Sequence, residues 1–138
     1  MIGVRILRTL FLACLLGFAA PGIPAAQAQD AAPNVVQSLD YAFFGGGKLA
    51  VKIVFKRDLG AVPDTFTTFY PAIRVVLDFS SMRSALGSEP MKVRQRELWG
   101  LQVVQSGSRV RVIIDLVRPM IKEMETTGNE LLVTLHRP

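Results

Sequence analysis

Cysteine is almost absent from this chain of 138 residues: Cys14 is the only one, and it lies inside an apolar run near the amino terminus. No disulfide can form within one molecule, so the fold must hold by its core alone. Histidine is as scarce. A zinc-hydrolase site takes three protein ligands, typically histidines with a carboxylate, plus an open position for water, and His136, close to the carboxy terminus, is the single histidine. It reads as a solvated residue of the last strand. A Ser-His-Asp arrangement would have to recruit the same residue, and no Gly-x-Ser-x-Gly elbow occurs anywhere. Gly45-Gly46-Gly47 lacks the following helix and the Lys-Thr context of a phosphate loop, so turn geometry accounts for it. The expectation is a protein without catalysis, metal or cofactor.

A sustained 3.6-residue apolar period is also missing beyond the amino-terminal run, which excludes helical bundles and doubly wound α/β folds. That run has its own meaning. Arg5 and Arg8 precede or flank an apolar stretch from Thr9 to Ala20, followed by Pro21, Pro24 and the small residues Ala26-Gln27-Ala28. Residues 1–28 read as a secretory signal cleaved after Ala28, with an uncleaved anchor as the alternative. The stretch is shorter than the about 20 residues that span a bilayer comfortably, so no stable membrane span is expected after cleavage. Cys14 would leave with the signal.

Removing 28 residues from 138 leaves 110, enough for one domain. Residues 29–34 read as a flexible leader and residues 35–137 as the domain. Loss of Arg5 and Arg8 takes 16 basic residues to 14 against 11 acids, and the net charge from +5 to +3. A mildly basic exported domain suits anionic lipid or an anionic wall polymer, and export argues against nucleic acid.

What the domain does have is alternation. Lys48 to Lys56 places Leu49, Val51, Ile53 and Phe55 on one face and Lys48, Ala50, Lys52, Val54 and Lys56 on the other, the period of a half-buried strand. Strands are expected at Val35 to Phe44, Lys48 to Phe55, Thr65 to Tyr70, Ile73 to Phe79, Leu98 to Gln105, Arg109 to Val117, Ile121 to Thr126 and Glu130 to His136. Ser80 to Glu97 loses the alternation and reads as a connector with room for a short helical turn. Eight short strands at hairpin spacing predict an all-β sandwich.

One unit occurs twice. Leu39 through Gly45-Gly46-Gly47 to Lys48 and Phe55 matches Leu101 through Ser106-Gly107-Ser108 to Arg109 and Leu116, with a one-residue gap at the turn. The six phenylalanines Phe43, Phe44, Phe55, Phe66, Phe69 and Phe79 are expected mostly in the core. Trp99 is expected as a core or edge plug, although its ring, or that of Tyr41, could stack on a sugar.

A second repeat lies on the outward positions. Arg74, Val76 and Asp78 on one strand and Arg111, Ile113 and Asp115 on another are both written Arg-x-apolar-x-Asp, with Arg109 extending the second set. Two readings stay open. Such residues solubilise a sheet face or pair across strands for at most about 1 kcal/mol; alternatively the guanidinium fork grips carboxylates while Asp accepts hydrogen bonds from amides and sugar hydroxyls. The motifs fall on non-equivalent strands of the two halves, which suggests two separate outer patches. Lys92, Arg94 and Arg96 form a further basic run on the connector.

At Arg74-Val75-Val76-Leu77-Asp78-Phe79, at Leu101 through Ser106-Gly107-Ser108 to Arg111, and at Gly128-Asn129-Glu130-Leu131-Leu132-Val133-Thr134-Leu135, the chain resembles the AMIN domain family. Members include the amino-terminal periplasmic domain of type IV pilus secretins, the nearer likeness, and the non-catalytic domain of exported N-acetylmuramoyl-L-alanine amidases. The resemblance implies two related four-stranded units packed as a β-sandwich. It further implies a periplasmic, non-enzymatic envelope-targeting module that binds peptidoglycan and works with secretin or pilus-assembly proteins. Arg74, Asp78, Arg109, Arg111 and Asp115 are the candidate ligand residues. The last strand departs from the Arg-x-x-x-Asp form. A protein-interaction module, or a regulator of a separate amidase, are the rival expectations.

Overall fold

Apolar residues at every second position set the layers of this protein. Leu49, Val51, Ile53 and Phe55 point to one side of their strand and are fully buried, and Val110, Val112, Ile114 and Leu116 do the same on a second strand. The computed structural model describes residues 32–138, of which Pro33–Pro138 form one compact unit. The expected signal over 1–28 lies outside the described residues, as do residues 29–31 of the expected leader; Asn34, at the leader's other end, already belongs to a strand.

The strands are β1 (Asn34–Phe44), β2 (Lys48–Phe55), β3 (Asp64–Thr68), β4 (Ile73–Ser80), β5 (Met82–Ser84), β6 (Met91–Gln95), β7 (Leu98–Ser106), β8 (Arg109–Leu116), β9 (Ile121–Thr127) and β10 (Glu130–His136). They make two five-stranded sheets in a sandwich-like arrangement, one ordered β5-β1-β2-β10-β9 and the other β3-β4-β8-β7-β6. The chain is all-β; among the described residues the only helical element is a 3-10 turn at Gly45–Gly47. Eight strands lie where alternation places them. The connector differs from expectation, since it contributes β5 and β6 and no helical turn. Both are short, and β6 pairs irregularly with β7 between Lys92 and Gln95, so neither leaves a period-two trace.

The internal duplication crosses between the sheets. Hairpin β1-β2 is completed in its sheet by β10-β9, whereas its sequence counterpart β7-β8 is completed by β4-β3. Each sheet therefore takes one hairpin from each half of the chain, in matching order. Buried residues correspond position by position, Leu49 with Val110, Val51 with Val112 and Ile53 with Ile114. The one-residue gap at the turn is equally visible: Phe44 pairs with Lys48 around three glycines, Ser106 with Arg109 around two residues. Gly46, Gly47 and Gly107 take φ of +75°, +76° and +60°, which glycine reaches without steric cost.

Even an irregularity repeats. A bulge leaves Gln37 unpaired between Val36 and Ser38 in β1, and another leaves Trp99 unpaired between Leu98 and Gly100 in β7. Val36 and Leu98, just before the two bulges, are both fully buried. The bulge turns Trp99 outward, so it is half exposed beneath the Arg94 guanidinium, 4.9 Å from the ring centroid, and is not a core plug.

The aromatic residues also divide differently from expectation. Phe55 and Phe79 are buried against each other, Phe43 is partly buried, and Phe44, Phe66 and Phe69 are exposed. Phe66 stands opposite Val76, an outward position, so strand parity overrides its apolarity. His136 is half-buried, its Nδ1 3.1 Å from the Arg137 carbonyl, and is not freely solvated.

Among the described residues one charged group is buried. Glu97, ahead of β7, accepts two hydrogen bonds at Oε2 from Arg137, at 3.1 Å from Nε and 2.5 Å from Nη2. These bonds hold its carboxyl below the ordinary 4.5 against the opposing effect of burial. The pair ties the end of β10 to the start of β7. Gly47 permits it, since a Cβ there would lie 3.2 Å from Arg137 Nε.

Candidate functional site

Alternation alone assigns Arg74, Val76 and Asp78 of β4 and Arg109, Arg111, Ile113 and Asp115 of β8 to outward positions. Topology then makes β4 and β8 antiparallel neighbours, in the register Arg74↔Asp115, Val76↔Ile113, Asp78↔Arg111 and Ser80↔Arg109. The expectation of two separate patches is thus corrected. Arg-x-apolar-x-Asp read along two antiparallel partners is self-complementary, because each Arg meets the other strand's Asp, and all five candidate residues share one face.

The ion pairs are unequal. Arg74 Nε donates to Asp115 Oδ1 at 2.7 Å. Asp78 takes Arg109 in a two-point grip, Nη2 on Oδ2 at 2.9 Å and Nε on Oδ1 at 3.3 Å, while Arg111 Nη2 stands 3.7 Å from Asp78 Oδ2, beyond hydrogen-bond range. The Asp78 carboxyl is held below its ordinary 3.8, first by the Arg109 hydrogen bond and further by the charges of Arg109 and Arg111, against burial. The same contact raises Arg109 above its usual value. Asp78 and Arg109 serve each other; Arg111 is the guanidinium left with donors to spare.

Arg111 lies over the Phe66 ring, 5.8 Å from its centroid. Phe66, Tyr70, Pro71, Val76, Ile113, Arg74 and Arg111 line a shallow recess of about 320 Å³ on this face. Tyr70 is almost wholly exposed, whereas Val76 is covered despite its outward position. The recess offers a planar cation, aromatic and aliphatic walls and a neighbouring ion pair, a set that suits a carboxylate attached to small apolar groups or a sugar face. Phe66 and Tyr70 escaped sequence reasoning. Their parity and their flanking by Pro63 and Pro71 were the available signals.

The other candidates do not join this face. Lys92 and Arg94 sit on β6 at the sheet margin and Arg96 in the turn after it, over Phe43 at 5.3 Å. Tyr41 faces the core, edge-on to Phe43. Among the described residues no group of three or more His, Cys, Asp or Glu side chains comes together. The fold and face define a small β-sandwich with a mixed polar and aromatic sheet surface. No family model, no curated protein and no solved structure matches the chain.

Proposed function

We propose that this protein is a non-catalytic module of the cell envelope, exported to the periplasm, that binds peptidoglycan through the outer face of β3, β4 and β8. The observation that carries this reading is Arg111. It is a half-exposed guanidinium, outcompeted for Asp78 by Arg109, and it opens onto a recess walled by Phe66 and Tyr70. The geometry of these groups supports bidentate capture of a stem-peptide carboxylate by Arg111, with the Arg74–Asp115 pair hydrogen bonding to amides or hydroxyls beside it. Work beside secretin or pilus-assembly proteins rests on the likeness to the AMIN domain.

Retention of the protein on purified sacculi tests the reading. Retention well above that of a control protein of similar size and charge is expected, and it should weaken as salt rises. Equal retention of protein and control contradicts wall binding.

A further inference from the structure

A sandwich has four edges, and each exposes unpaired backbone groups that recruit foreign strands unless something blocks them. Three edges here are blocked. β9 turns Lys122 inward, opposite Leu135, and shows Glu123 and Glu125 outward. β3 is five residues long, has Thr65 and Thr67 at its inward positions, and is bounded by Pro63 and Pro71. β6 is bent at its end, with Arg94 in it and Arg96 just past it at φ of +50° and +49°, and it carries Lys92 and Arg94. Inward charge, shortness with proline and irregular pairing are the usual blocks.

The β1 edge has none of them past its bulge. β5 pairs only with Asn34, Val35 and Val36, and the Ala85 amide makes the last bond on that side, to the Val36 carbonyl. From Ser38 to Phe44 no strand among the described residues lies on the outer side of β1. The inward positions there are Leu39, Tyr41 and Phe43, all apolar and all only partly buried. Beside them opens a slot of about 630 Å³ lined by Leu39, Leu86, Met91, Leu101 and Val103 together with Ser38, Gly87, Glu89 and Gln102, a size that holds ligands in other proteins.

We infer that Ser38–Phe44 of β1 and this slot accept an extended acidic segment of another protein as an added strand. Alternate apolar side chains of the segment enter the slot, and its backbone pairs with β1 where β5 leaves off. Charge selects the partner. Arg83 on β5, Lys92 and Arg94 on β6 and Arg96 just past it are the basic residues of these bordering segments, and Arg96 stands over Phe43, whereas Asp40 on β1 and Glu89 at the slot are acidic. A second copy is a poor occupant, because β1 against β1 brings two such basic margins together, and β9 of another copy would bring its inward Lys122 to the slot. The site lies on the sandwich margin and is independent of the wall-binding face.

Selection from a displayed library of random octapeptides tests the inference. Enriched sequences should alternate apolar and acidic residues and lack proline at central positions. Their synthetic versions should lose at least tenfold in affinity for Lys92→Glu/Arg96→Glu, or when a central residue becomes proline. Bound peptide should protect amides of Ser38–Phe44 from hydrogen exchange. Failure to enrich any sequence, enrichment of basic or proline-centred peptides, or protection mapping to β4 and β8 instead would overturn it. So would concentration-dependent self-association that protects Ser38–Phe44, which would assign the edge to a second copy.

Discussion

The outer faces of the two sheets occupy equivalent places in a duplicated scaffold, yet they carry different chemistry. Arg74 against Asp115 in one sheet corresponds to Glu130 against Val54 in the other. Asp78 against Arg111 corresponds to Thr134 against Ala50, and Val76 against Ile113 to Leu132 against Lys52. The first face has a hydrogen-bonded ladder of charges; the second has a Lys52–Glu130 contact at 4.0 Å and His136 Nε2 at 3.8 Å from Glu123 Oε2, both beyond hydrogen-bond range. Inward residues kept their apolarity in both copies because the shared core requires it. Outward residues were free to diverge, and only one face carries the Arg–Asp ladder.

If the scaffold is duplicated energetically as well as geometrically, Ile53→Ala and Ile114→Ala should each destabilise by about 2–5 kcal/mol and agree to within about 1 kcal/mol. Both residues are fully buried at matching positions. Equilibrium urea unfolding measures this, and a large inequality would break the equivalence. Glu97→Ala is expected to lose less, roughly 1–2 kcal/mol, because Arg137 remains half in water.

The pH dependence of that loss has a definite sign. The Glu97 and Asp78 carboxyls both sit below their ordinary values of 4.5 and 3.8, so the stability they add is present above those values and disappears as pH falls through their lowered folded values. The gap between parent and Glu97→Ala should therefore close in acid, as pH falls from 4.5 through the lowered folded value, as followed by thermal melts across pH. The smallest effect belongs to the exposed pairs. A double-mutant cycle on Arg74 and Asp115 should give at most about 1 kcal/mol, and one on Lys52 and Glu130 close to zero.

Much of this was legible in the sequence, and the rest was hidden for physical reasons. Alternation revealed the strands because one face of each is buried, and the glycine-bearing turns revealed the hairpins. The Arg-x-apolar-x-Asp motifs were legible as residues but not as neighbours. Which strands adjoin is decided by hairpins exchanging between sheets, a long-range choice that no local pattern carries. Phe66 was placed in the core on its apolarity, although its parity with the outward side of β3 pointed the other way. The Glu97–Arg137 pair joins residues 40 positions apart and leaves no periodic signal. β5 and β6 escaped because short, irregular strands do not alternate.

The decisive comparison is sacculus retention of Arg111→Ala beside Lys52→Ala, each checked for an unchanged melting curve. Both substitutions remove one exposed positive charge from the middle of an outer sheet face, so net charge cannot distinguish them. The account predicts about a tenfold or greater loss for Arg111→Ala and little change for Lys52→Ala. Equal losses, or none in either, would contradict a single binding face on β3, β4 and β8.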